Sequence, residues 1–208
     1  MALITDYTSL QNAITDNLAR SDLVSFAPDF IQMAENWLNY GSDNSEALRC
    51  REMEAVTSLT PTAGVCTLPT DYIEYRRVTE VTGVRRPLSF ITPDMAEINY
   101  PSRSSGLGEK FTIIGSSLYT FPLVSNNVEL VYYQALPPLA LNTSNWLLAK
   151  SPSTYLRAAL VQAAEFLKND QEAAKQAQMA MSLVAGLNKS DQMGKYARAG
   201  VTPRGITP

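Results

Sequence analysis

The chain has 208 residues, 45% of them hydrophobic and 18% charged, with a formal net charge of −3 and no histidine. That is the make-up of one packed domain, or one domain carrying a sub-domain, rather than of a disordered chain. It excludes histidine-dependent triads, dyads and metal sites, gives no electrostatic case for gripping nucleic acid, and holds no apolar run near the roughly 20 residues of a spanning helix. The start, Met1 to Asp6, lacks the basic and apolar regions of a signal peptide, so synthesis in the cytoplasm is expected. Cys50 and Cys66 are too few for a disulfide framework or a zinc site and are expected as buried thiols.

Thr8-Ser-Leu-Gln11 has the form of a capping box, and Leu10, Ile14 and Leu18 recur every four residues as one stripe of a first helix. Arg20-Ser-Asp22 breaks it. A second helix opens at Pro28, with Phe26 and Ile31 spaced as a hydrophobic staple. Its buried stripe is Ile31, Ala34, Trp37 and Leu38; Glu35 and Asn39 fall on the other side, and Gly41 ends it. From Glu46 the period shortens. Met53 to Leu59 and Val65 to Leu68 read as strands about the turn at residues 60–64, and Pro69 suggests a single helical turn to Tyr72. Arg77 to Thr82 and Arg86 to Ile91 form a hairpin about Gly83, and Thr92-Pro93 starts a short helix to Ile98.

Phe111 to Ile114, Leu118 to Phe121 and Val128 to Tyr133 then read as a three-stranded meander, with Gly115-Ser116 and Ser125-Asn-Asn127 at the turns. The two prolines after Leu136 end the β region. Ser151-Pro152 begins a helix with Leu156, Leu160, Ala163, Ala164 and Leu167 on one face, and a further alanine-rich helix runs from about Glu172 to Leu187. Beyond Ser190 the period stops, and the glycines, prolines and basic residues that follow read as a tail ordered by a partner. The resulting class is α+β: a helical bundle made by both chain ends, an inserted antiparallel β sub-domain, and an extended C-terminal tail. The boundaries fall at 1–45 for the N-terminal helices, 46–140 for the β-rich insert, 141–190 for the C-terminal helices and 191–208 for the tail.

Chemistry is sparse. There is no Walker loop and no glycine fingerprint, and the carboxylate pairs Asp71 with Glu74 and Glu52 with Glu54 are spaced as any solvated turn or strand would space them. No catalytic, cofactor-binding or metal-binding residue is assigned, and the chain is not expected to be an enzyme. Arg76, Arg77, Arg85 and Arg86 bracket a hairpin, either as a partner-binding patch or as strand ends paired to Glu74 and Glu80. Tyr119, Phe121, Tyr132 and Tyr133 could line a platform for sugar or base, or pack across strands.

Leu68-Pro-Thr-Asp-Tyr-Ile-Glu-Tyr-Arg-Arg77, then Arg86-Pro-Leu-Ser-Phe-Ile-Thr-Pro93, Phe111 to Gly115, Leu130 to Gln134, Asn145 to Leu148 and Ser151 to Leu167 together resemble the head-to-tail adaptor, or connector, proteins of tailed bacteriophages. The likeness runs over roughly residues 28 to 170, in order. It implies a structural virion protein, made in the host cytoplasm and placed at the neck. Such a protein docks beneath the portal protein as a ring of about twelve copies, extends the DNA channel without specific DNA binding, and offers a platform to a tail or nozzle protein. No cofactor and no membrane partner follow from it. The tail is then the expected portal-binding segment, through Gln192, Lys195, Tyr196, Arg198, Val201, Arg204 and Ile206. Arg76, Arg77, Arg85, Arg86 and Tyr119 are expected to meet neighbouring subunits or a tail component. The alternative is a tail or capsid-surface module that binds host glycan with its aromatic β face.

Overall fold

The structure, a computed structural model, describes residues 3–42 and 45–196. The α-helices among these residues are α1 (Tyr7–Leu18), α2 (Ala27–Tyr40), α3 (Pro93–Asn99), α4 (Trp146–Lys150), α5 (Pro152–Phe166) and α6 (Asp170–Tyr196). The strands are β1 (Glu54–Leu59), β2 (Val65–Thr67), β3 (Tyr72–Val81), β4 (Arg85–Phe90), β5 (Lys110–Ile114), β6 (Ser117–Phe121) and β7 (Val128–Gln134). The protein is therefore α+β. It divides into a helical unit, residues 3–52 with 136–196, and a β unit, residues 53–135.

In the helical unit, α1 starts earlier than the hydroxyl at Thr8 suggests. Asp6 accepts the Ser9 N–H at 2.8 Å while the Ser9 hydroxyl accepts the Asp6 N–H at 2.9 Å. A carboxylate at a helix N-terminus satisfies the free donors and the dipole together, so the box lies two residues before the expected one. A 3-10 helix over Ser21–Phe26 separates α1 from α2, and Pro28 stands in the first turn of α2 as expected. Gly41 closes α2 with φ +72, and a Cβ there would lie 2.6 Å from the Ser45 carbonyl oxygen. Only glycine fits that turn.

All of α1, α2, α4 and α6 pack against α5, whose Tyr155, Leu156, Ala158, Ala159, Leu160, Ala163 and Ala164 are buried. Two side chains fix the sides on which its main neighbours lie. The Tyr155 hydroxyl reaches Glu35 of α2, and the Arg157 guanidinium donates to Gln176 of α6 at 2.9 Å. Positions two apart point about 200° apart around a helix, so α2 and α6 flank α5 from opposite sides. The stripe that α6 buries is Ala173, Gln176, Ala180, Val184, Asn188 and Asp191, and the helix runs on to Tyr196. Residues 191–196, expected as an extended tail, are thus helical; residues 197–208 lie outside the described residues.

Glu35 and Asn39 were expected on the solvent side of α2, and both are buried. They hold the segment that follows β7. Glu35 accepts the Leu139 N–H at 2.8 Å and Asn39 accepts the Leu136 N–H at 2.9 Å, so a segment containing two prolines, and outside any ladder, has its buried donors satisfied. Asn188 does the same for residues 47–49. It accepts the Arg49 N–H at 2.8 Å and donates to the Ala47 carbonyl at 3.0 Å.

The β unit is one seven-stranded sheet in the order β1-β7-β3-β4-β5-β6-β2. It is curled: Leu59 from one edge strand and Cys66 from the other meet Val78, Leu88, Phe111, Leu118, Val128 and Leu130 in a single core. The expected hairpin of β3 with β4 is present, and so is that of β5 with β6 about Gly115-Ser116. Two pairings are not as expected. β7 does not continue a meander from β6 but enters between β1 and β3, because the segment after β6 bonds elsewhere: Leu123 N–H to Ser104, Gly106 N–H to Leu123, and Val81 N–H to Asn127. β1 and β2, read as a hairpin, lie at opposite edges, since β2 pairs with β6. Residues 69–72 form a turn closed by the Tyr72 N–H on the Pro69 carbonyl at 3.1 Å, not a helical turn, and β3 begins there. β4 and β5 are parallel, and the connection this requires carries α3.

Candidate functional site

The chemistry on offer is that of contact faces. On β3, a register shift between Tyr75 and Arg77 marks a bulge at Arg76, which brings an extra side chain to one face of the sheet. Arg76 lies 3.4 Å from Glu54 and over the Tyr133 ring, 5.3 Å from its centroid. Arg77 reaches Glu129 at 3.4 Å, and Arg85 on β4 pairs with the same carboxylate. Three of the five residues expected to meet neighbours or tail components are thereby gathered around β7. Arg86 stands on the other face of its strand from Arg85, by strand alternation, in register with Glu80. Tyr119 is half-buried on β6, opposite Val65 and Thr112, and β4 and β5 separate its strand from β3.

Glu80, expected as an ion-pair partner of these arginines, is fully buried and does different work. It accepts the Gly108 N–H and the Asn126 amide, each at 2.9 Å, and so pins two loops to the end of β3. Sequence spacing favoured Glu80 because it is near; Glu129, about 50 residues along, is the actual partner of Arg77 and Arg85. The aromatic platform also resolves into packing. Tyr132, Tyr133 and Phe121 are buried. The Tyr132 hydroxyl donates to Asp71 at 3.0 Å, and its ionisation is pushed up to about 12 by burial and then by that carboxylate.

The carboxylates considered for catalysis are likewise engaged: Asp71 by Tyr132, Glu52 by Lys150 at 2.5 Å, and Glu54 by Arg76. Both cysteines are free and buried. Burial, reinforced for Cys50 by Glu52, raises their thiols to about 12 for Cys50 and about 11 for Cys66. Among the described residues no group of three or more Cys, Asp or Glu side chains is placed to hold a metal, and no helix is long and apolar enough to cross a membrane.

In the helical unit, the residues expected to bind the portal divide in two. Gln192, Lys195 and Tyr196 lie on the last turns of α6; Arg198, Val201, Arg204 and Ile206 lie outside the described residues. The unit also has an apolar face that the sequence reading missed. Met33 and Tyr40 are exposed on the side of α2 away from α5, and Phe26, seven residues before Met33 at the end of the 3-10 helix, is exposed as well, its ring tilted against Phe166 at the end of α5 with centroids 5.2 Å apart. The signal lay in that spacing, which is easily lost beside the stronger stripe of Ile31, Ala34 and Leu38. A pocket of about 300 Å³ opens near the start of α6, lined by Leu18, Leu160, Leu167, Asn169, Glu172 and Gln176. Glu172 there is held below its ordinary range first by the Gln176 amide and then by Lys175.

Arg76, Arg77 and Arg85 are paired, the aromatics of the β unit are largely buried and the carboxylates considered above are engaged. The protein's class follows from comparison of the whole chain: the model of the SU10 adaptor protein family matches residues 5–204, and the chain belongs to that family. It is a structural adaptor of phages, which is not an enzyme class. No curated protein matches the chain.

Proposed function

We propose that this chain forms the head-to-tail adaptor ring of a tailed phage, docking beneath the portal, extending the DNA channel and presenting the platform on which the tail or nozzle assembles. The observation that carries the reading is the family match across residues 5–204, which takes in both helical ends and the β insert. Three physical features support it. The long α6 leads directly to a basic C-terminal run, Lys195, Arg198 and Arg204, suited to a groove on the portal, with the burial gained there offsetting the ordering cost. The net charge of −3 suits a channel that passes DNA, since phosphate binding needs clustered Lys and Arg. Arg77 and Arg85 around Glu129, with Arg76 on Glu54, offer a face for a tail component, and Arg86 and Tyr119 are proposed contacts elsewhere on the same unit.

Residues 192–208 are the proposed portal-binding segment. Removing residues 197–208 leaves α6 intact and is expected to abolish occupancy of portal rings, read as loss of co-sedimentation with the portal. Full occupancy by the truncated chain would sink this part of the reading.

A further inference from the structure

The two outward helical faces of the helical unit differ in relief and in charge. On α2 the exposed row is Met33 and Tyr40, continued by Phe26 just before the helix and by Phe166 against it, and it is flanked by Asp29 and the exposed Glu165. On α6 the row opposite the buried stripe is Lys175, Gln178, Ser182, Ala185, Gly186 and Lys189, all exposed. It is smooth from Ser182 to Gly186, where a Cβ on Gly186 would meet nothing within 4 Å; the exposed Met179 stands before that stretch, and lysines lie at both ends, Lys175 paired with Glu172 at 3.4 Å. One face thus carries apolar knobs beside acids, the other a shallow floor of small residues between Met179 and Lys189. They point away from α5 on opposite sides, as the Tyr155 bond to α2 and the Arg157 bond to α6 require.

From this we infer that the α2 face of one copy packs on the α6 face of the next. The occupant is a second copy of this chain because the complement in both relief and charge is present on the same unit. Exposed apolar patches on monomers mark such contacts. The small residues at 182, 185 and 186 let Met33 approach the helix backbone, while Lys175 and Lys189 face the acids flanking the knobs. Because the two faces are different and opposed, the contact is heterologous and head-to-tail, which generates a ring when the rotation closes. The inference rests on the adaptor reading for the setting in which copies are brought together, and it names the surfaces.

The test is cross-linking on the portal. Met33→Cys and Ser182→Cys are combined in one chain; both positions are exposed, and the native thiols at 50 and 66 are buried and out of reach of a short bis-maleimide. Portal-bound protein carrying both substitutions is expected to give a ladder of multimers, and protein carrying either alone none above the monomer. Dimers from Met33→Cys alone would show α2 meeting α2 and overturn the head-to-tail contact. Portals that carry the protein without any ladder would overturn the interface and leave the adaptor reading standing. Portals that carry no protein would overturn both. As a second variant, Met33→Glu sets a carboxylate among the knobs, and loss of complete rings from portals is expected, with the thermal unfolding of the isolated protein unchanged.

Discussion

Glu35 takes a carboxylate into the middle of the helical unit, where burial raises its pKa above the ordinary 4.5, opposed by the Leu139 N–H and then the Tyr155 hydroxyl. Desolvation outweighs the two donors because neither bears a charge. The folded protein therefore keeps a proton on Glu35 at a pH where the unfolded chain has released it. The stability this contributes is complete below about 4.5 and is lost as pH rises through the raised value. Glu35→Gln keeps an acceptor for Leu139 and cannot ionise, so the variant should gain on the wild type steadily as pH climbs through that window. Urea unfolding of both proteins at a series of pH values checks it, and a difference independent of pH would contradict it. Glu35→Ala should instead cost about 1–3 kcal/mol at any pH, since it strands a buried N–H and a buried hydroxyl. Asn188 plays the same part for residues 47–49 without a titratable group, so its removal should carry a similar penalty with no pH slope.

At the scale of elements, the ends of helices were legible where a local rule sets them and obscure where a distant partner does. Pro28 and Gly41 mark α2 because a missing N–H and a positive φ are properties of single residues. Gly41→Ala should cost about 1–3 kcal/mol in chemical denaturation, from strain at a positive φ with extended ψ (+72, −162) that side chains avoid and from collision with the Ser45 carbonyl. Gly186→Ala, on an open helix face, should stabilise the isolated protein by about 0.5–1 kcal/mol. The burial of Glu35 and Asn39 was not legible, because the backbone groups they satisfy lie about 100 residues away. The continuation of α6 past Leu187 was missed for the same reason: its last inward positions are Asn188 and Asp191, polar residues held by residues 47–51, and an apolar period cannot register them. Strand existence was legible from alternation, but strand partners were not, since the period-two pattern of β7 fits β6 as well as it fits β1 and β3. The arginine face shows both outcomes, with Arg76, Arg77 and Arg85 picked out by their place beside a hairpin and their carboxylates, Glu54 and Glu129, supplied by strands that the tertiary fold brings alongside.

The whole molecule is two compact units on one chain, with the β unit formed by a continuous stretch and the helical unit by both ends. The succession of structural motifs from residue 28 onward was enough to indicate the adaptor family before any geometry was known, and the family match extends that likeness to residues 5–204. The surfaces themselves, acid-flanked knobs beside α2 and a stretch of small residues between Met179 and Lys189 on α6, needed the fold, because which face of a helix is left bare depends on what covers the other. The adaptor account places all of this on a portal, and the most direct test is to mix the purified protein with its portal and image the product by negative stain. The account predicts a ring of added density at one end of the portal, about as many copies around as the portal itself has subunits. Portals left bare by a folded protein at saturating concentration would contradict it.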